Sequence, residues 1–79
     1  ELASEGIIVN AVSPGPIATQ FNLDRYAKDP VRRDLILAQV PAGRLGEPDE
    51  VAQAILFLAT GSPFINGHNL VIDGGYITH

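Results

Sequence analysis

The sequence contains no cysteine among its 79 residues. That excludes a disulfide framework and a thiolate metal site, two devices by which small domains compensate for a thin core. Cations are scarce as well: five Lys and Arg stand against nine Asp and Glu, for a formal charge of −4. A surface of that sign repels phosphate polyanions, so no nucleic acid and no membrane is expected as a partner. Long hydrophobic runs are missing too. The longest unbroken one, Ala54–Ala59, falls far short of the ~20 residues a membrane helix needs. Glu1-Leu2-Ala3-Ser4-Glu5 has neither a basic n-region nor an apolar h-region, so it reads as the middle of a helix that has been cut rather than as a signal peptide. With no cysteine and no leader pattern, a cytoplasmic location is expected. Internal repeats and low-complexity tracts are absent.

What is present is 46% hydrophobic, which argues for one packed globular unit rather than a disordered tail. A chain this short buries about two-thirds or less of its unfolded surface, so its stability alone is marginal. Ser4-Glu5-Gly6 reads as a helix tail with Gly6 in the left-handed C′ position. Ile7-Ile8-Val9-Asn10-Ala11-Val12 is apolar almost without alternation, the pattern of a strand covered on both faces. Ser13-Pro14-Gly15-Pro16 is expected to end it, since prolines and glycine interrupt a ladder.

Residues 20–43 form a long connection with structure of its own. Gln20–Lys28 is a weak helix candidate. Asp29-Pro30 starts a better one, with Asp29 as N-cap and Pro30 at N1, and Val31, Leu35 and Ala38 fall on one face. Pro41 and Gly43 close it. The strongest helix begins at Glu47-Pro48-Asp49-Glu50, where acids lie beside the positive end of the dipole, and it stops at Gly61. Val51, Ile55 and Leu58 make one apolar face; Ala52, Leu56 and Ala59 make a second. A helix apolar on two faces is sandwiched, so the second face calls for a further layer. Leu70-Val71-Ile72 then gives a short buried strand, and Asp73-Gly74-Gly75 turns the chain outward. The order strand, helical connection, helix, strand is α/β, and one such unit is too little sheet to bury its helix. The expectation is a piece of a doubly wound, Rossmann-like parallel sheet.

Three segments resemble the short-chain dehydrogenase/reductase family, in the family's own order. They are Gly6-Ile7-Ile8-Val9-Asn10-Ala11-Val12-Ser13-Pro14-Gly15 with Pro16-Ile17-Ala18-Thr19, then Gly43-Arg44-Leu45-Gly46-Glu47-Pro48-Asp49-Glu50-Val51-Ala52, then Ile65-Asn66-Gly67 with Leu70-Val71-Ile72-Asp73-Gly74-Gly75. Together they cover nearly the whole chain. The resemblance implies the C-terminal segment of a single Rossmann-like dehydrogenase domain over residues 1–79, with 20–43 as a substrate lid. It implies NAD or NADP as cofactor, with Pro14, Gly15 and Ile17 shaping the nicotinamide pocket and Thr19 bonding the carboxamide or a phosphate. Phe21, Leu23 and Tyr26 become candidates to contact a small carbonyl or alcohol substrate, although ordinary helix packing explains them equally well. Gly43-Arg44 resembles a hinge at the far end of the lid, where Arg44 could equally form a local salt bridge. The helix at 48–60 and residues 69–75 resemble the elements through which family members form homo-oligomers. Ile8 departs from the family, whose members often carry Arg or another polar residue there.

The implied activity is hydride transfer between NAD(P)H and a carbonyl or alcohol, as in a 3-oxoacyl-carrier-protein-reductase-like enzyme. That chemistry needs a glycine-rich turn for the pyrophosphate, a Ser, and a Tyr-x-x-x-Lys pair on a helix whose Lys lowers the Tyr pKa. These 79 residues contain no Gly-x-x-x-Gly-x-Gly; Tyr26 meets Lys28 at the wrong spacing, and Tyr76 is followed by no Lys. No catalytic residue is therefore assigned, Glu1–Glu5 resembles the tail of the catalytic helix, and the chain by itself is expected to be inactive. Other chemistry finds little support. Ser13, His68 and Asp73 have the residue types of a hydrolase triad but no Gly-x-Ser-x-Gly elbow. His68, between Gly67 and Asn69, reads as a turn residue, and no metal site is expected because one needs three or four convergent ligands. The competing expectation is a non-catalytic fragment that self-associates through helix 48–60 and the exposed edge of the first strand.

Overall fold

The structure, a computed structural model, describes residues 6–76. Glu1–Glu5, expected as a helix tail, and the terminal His79 lie outside the described residues. The elements run β1 (Ala11–Pro14), α1 (Gln20–Lys28), α2 (Pro30–Ala38), α3 (Pro48–Thr60) and β2 (Asn69–Ile72). The two strands pair in parallel, with Ala11 opposite Asn69 and Pro14 opposite Ile72. Among the described residues, one further bridge joins Ile17 to Gly46, also in parallel.

The first strand is displaced from its expected place at 7–12. Residues 7–10 have no ladder partner among the described residues, because the segment opposite them is a turn held by both side-chain and backbone hydrogen bonds. The Val9 N–H donates to Asn66 Oδ1 at 3.1 Å, and the Val9 carbonyl accepts from the Gly67 N–H at 2.8 Å. Asn10 clamps the same turn from both ends: its Nδ2 donates to the Ile65 carbonyl at 3.0 Å and its Oδ1 accepts from the His68 N–H at 2.9 Å. Two amide side chains thus do for the 65–68 turn what a ladder does for a strand.

At its other end the ladder runs through Pro14 rather than stopping before it. Alternate residues of a strand direct their N–H groups to the same neighbour. The N–H groups of Ala11 and Gly15 reach β2 at the carbonyls of His68 (2.9 Å) and Ile72 (3.0 Å). Pro14 is out of phase with them, so its missing N–H would face the side away from β2, where proline is tolerated.

Helix boundaries follow local chemistry. Thr19 caps α1 by accepting the Asn22 N–H on Oγ1 at 3.2 Å. Asp29, at φ −139°, ends α1 and caps α2, accepting the Arg32 N–H at 3.1 Å, with Pro30 in the first turn. In α3, Pro48 opens the helix and Glu50 reaches back to accept the Glu47 N–H at 2.8 Å. The covered faces differ from those expected from spacing. In α2, Val31 and Leu35 are exposed, and Ile36 and Leu37 are the half-buried pair. In α3, Val51, Ala54 and Leu58 are half-buried, whereas Ile55, Leu56 and Phe57 are exposed. The buried apolar residues among those described are Ile17, Tyr26 and Val40. They belong to the helical connection and its stem, so the core lies there rather than on the face of the sheet.

Candidate functional site

Both parallel strands end at the same edge of the sheet. There the loop after β1, Gly15–Thr19, meets the turn after β2, Asp73–Gly75. The approach is as close as a backbone allows: a Cβ on Gly15 would lie 2.5 Å from Asp73 Cβ and 2.9 Å from its Cα, so only glycine fits. Asp73 shapes its own turn, accepting the Gly75 N–H on Oδ1 at 2.9 Å, as expected of a turn-forming residue at a strand end.

From Gly15 the chain passes through Pro16 to Ile17, which is held against Gly46. The Gly46 N–H donates to the Pro16 carbonyl at 2.9 Å, and the Ala18 N–H donates to the Gly46 carbonyl at 2.7 Å. This pairing turns the N–H and carbonyl of Ile17 to the opposite side. The Ile17 carbonyl accepts twice there, from the Thr19 N–H and from Asn22 Nδ2, each at 2.8 Å. The Ile17 N–H has no acceptor among the described residues. Thr19 Oγ1 accepts the Asn22 N–H in its capping role, which leaves its O–H proton free to donate. Pro14, Gly15, Ile17 and Thr19 therefore form one loop that presents an N–H, an O–H and the N-terminus of α1 to a polar ligand at the carboxyl end of a parallel strand.

Gly46 is itself constrained, since a Cβ there would fall 2.8 Å from Ile17 Cδ1. Beside it, Arg44 makes a two-pronged ion pair with Glu50, at 2.8 and 2.9 Å, and also donates to the Leu45 carbonyl at 3.1 Å. Hydrogen bonding from Arg44, reinforced by the Glu47 N–H, holds the Glu50 carboxyl at about 2, and the same pair raises Arg44. A hollow of about 50 Å³ lies behind the loop, bordered by Pro16, Ile17, Arg44, Gly46 and Asp73. A larger groove of about 380 Å³ runs beside β1, between Ile8 and Val12 on one wall and Ile55, Leu58 and Pro63 on the other. It touches none of Pro14–Thr19; Asn10 in its lining is engaged by the 65–68 turn, and Ser62 accepts the Phe64 N–H.

The residues expected to contact substrate separate into two kinds. Phe21 and Leu23 stand on α1 with 71% and 44% exposure, open to a ligand, whereas Tyr26 is 6% exposed and buried. Sequence reasoning missed Asn22, which occupies the Ile17 carbonyl; an amide three residues after the N-cap Thr19 was the available signal. Ser13 Oγ donates to Asn69 Oδ1 at 2.8 Å, so it is engaged with an amide rather than a histidine. No cluster of three metal-ligating side chains occurs among the described residues.

The family model described as enoyl-(acyl carrier protein) reductase matches residues 1–77. Carbonyl reductase family member 4 of Xenopus laevis is 46% identical over 79 residues, all of this chain and 30% of its own. The 3-oxoacyl-(acyl-carrier-protein) reductase FabG of Vibrio cholerae is 46% identical over 76 residues, covering 95% of this chain and 30% of that one. Among solved structures, ElxO with NADP bound superposes with a TM-score of 0.84 at 40% identity, over 98% of this chain and 32% of ElxO. The chain thus spans about 30% of the length of the relatives it matches. A family match over nearly every residue, with the same backbone, makes this chain a member of the short-chain dehydrogenase/reductase family and a part of its Rossmann-like domain.

Proposed function

We propose that this chain supplies one wall of the nicotinamide pocket, and the substrate lid, of an NAD(P)-dependent oxidoreductase that interconverts a carbonyl and an alcohol, in the manner of a 3-oxoacyl-carrier-protein reductase. The observation that carries the reading is the loop Gly15–Thr19, where the Ile17 N–H and the Thr19 O–H stand free at the carboxyl end of β1. The single oxygen of a carboxamide has two lone pairs and can accept from both donors, and the missing side chain of Gly15 permits close approach. Thr19 has a second possible role, toward a phosphate oxygen at the α1 N-terminus. The chemistry the dinucleotide supplies when bound is hydride transfer at its ring. The part played by this chain is to bind and orient: Ile17 and Thr19 fix the ring's amide, and the helical pair α1–α2, with Phe21 and Leu23 exposed on it, covers the substrate and excludes water.

The test is titration of NADH and NADPH into the full-length oxidoreductase, together with turnover of an acetoacetyl thioester with the reduced nucleotides and of a sugar alcohol with NAD+ and NADP+. Nucleotide-dependent turnover of one of them is expected. Thr19→Val should weaken nucleotide binding about tenfold, the value of one hydrogen bond near 1.4 kcal/mol, and Thr19→Ser should keep it. Absence of binding by either nucleotide, or equal affinity for the Val variant and the wild type, overturns the reading.

A second reading, a non-catalytic fragment that self-associates, is favoured by the exposure of Ile55, Leu56 and Phe57 on α3. The two readings are compatible, because an oxidoreductase that works as a homo-oligomer would use the same surface.

A further inference from the structure

Residues 40–42, where the chain leaves the helical connection, rest on the turn that follows β2. The Ala42 N–H donates to the Gly74 carbonyl at 3.0 Å. A Cβ on Gly74 would lie 3.0 Å from both Ala42 Cβ and Val40 Cγ1, and one on Gly75 would lie 2.9 Å from Pro41 Cγ. Both glycines have positive φ, 60° and 91°. On its other side the same turn meets the cofactor loop, where a Cβ on Gly15 would collide with Asp73. Three segments are thus stacked at contact distance: the loop at Gly15, the turn Asp73–Gly75, and the stem Val40–Ala42. Val40, at 5% exposure, is among the most buried residues of the chain.

We propose that Asp73–Gly75 is the seat of the lid: a positioning element that sets the height of the Val40–Ala42 stem above the Gly15 loop, and through it the closure of residues 20–39 over substrate. The inference rests on the reading of residues 20–43 as a substrate lid. The bridge between Ile17 and Gly46 ties the near stem to the chain four residues beyond Ala42, so Val40–Ala42 lies between that anchor and the lid. With that anchor held, a displacement of the Val40–Ala42 stem tilts the lid, and an added Cβ at 3.0 Å from Ala42 Cβ and Val40 Cγ1 forces such a displacement. None of Asp73–Gly75 is among the residues assigned to substrate or nucleotide, so a change at Gly74 is expected to alter substrate binding and to leave nucleotide binding in place.

Gly74→Ala in the full-length enzyme tests this. The carbonyl substrate's KM should rise roughly tenfold, as small misplacements of positioning groups do, while NADPH affinity stays within about twofold. Strain from a side chain at positive φ is controlled by Gly67→Ala, because Gly67 has φ 76° and nothing within 4 Å of its Cβ position. That variant should lose comparable stability with KM unchanged. Ala42→Gly added to Gly74→Ala should bring KM part of the way back toward the wild-type value. Hydrogen exchange gives a readout independent of turnover: amides of 20–39 should exchange faster in Gly74→Ala and not in Gly67→Ala. Like behaviour of the two glycine variants, or no recovery with Ala42→Gly, overturns the seat. If the wild type turns over no carbonyl with either nucleotide, the proposed function falls, and the exchange comparison still decides whether the turn positions the 20–39 segment.

Discussion

Arg44 and Glu50 are six residues apart, and nothing in helix or strand periodicity brings such a pair together. Gly46 does so, by letting the chain press against Ile17 and fold back onto the start of α3. A local salt bridge for Arg44 could be guessed from its charge; its partner required the turn. The pair has a consequence in acid. Arg44 first, and the Glu47 N–H second, depress the Glu50 carboxyl from 4.5 to about 2. A carboxyl depressed on folding stabilises the folded state above its unfolded pKa and loses that contribution as pH falls through the folded one. The denaturant midpoint should therefore decline between pH 4.5 and about 2, and Glu50→Gln should flatten that decline when both proteins are unfolded across the range. Identical pH profiles would show that Glu50 has no part in it. The side chains are 57% and 37% exposed, so water and salt screen the pair and its contribution is modest.

Among the elements, the helices were legible in the sequence and the strands were less so. A helix is bounded by residues within one turn of its ends, and Thr19, Asp29, Pro30, Pro48 and Gly61 mark those ends by their own chemistry. Asp29 is the clearest case, and Asp29→Ala should destabilise α2 by about 1 kcal/mol, the usual cost of a lost cap. Amide exchange should show the effect confined to residues 30–38; an unchanged profile there would mean that Pro30 alone sets the helix start. Which face of a helix is covered was harder to read. Spacing placed Val31 and Leu35 inward, but the connection buries Tyr26 and Val40 and leaves those two exposed at 70% and 61%. The strand boundaries were displaced for a related reason. β1 begins at Ala11 because its neighbour begins at Asn69, and the partner's position is not encoded in Ile7–Val12.

At the scale of the molecule, the radius of gyration is 15.5 Å, against about 12 Å for a compact chain of this length. The buried apolar set among the described residues is only Ile17, Tyr26 and Val40. Ile7, Ile8 and Val9 are about half exposed on one side, and Ile55, Leu56 and Phe57 on another. Apolar surface of this extent favours association. Sedimentation velocity of the 79-residue chain should show concentration-dependent association, and Phe57→Glu should reduce it, since a charge at the interface core is disfavoured. A wild-type chain that remains monomeric at high concentration would count against the α3 surface as an interface.

By itself the sequence determined the family, the order of the elements and the helix ends, and it singled out Pro14–Thr19 as the candidate site. Each of these is written in short contiguous motifs, whose physics is local. Only the tertiary structure decided the rest: that Asn10 replaces a ladder with a clamp, that Asn22 takes the Ile17 carbonyl and leaves its N–H free, and that Gly15, Asp73 and the 40–42 stem lie in one stack. Asn22 lies five residues from Ile17 and reaches its carbonyl from the first turn of α1, whereas the first and the last are contacts between segments tens of residues apart. Their partners are selected by the closing of the chain, which no single stretch of sequence specifies.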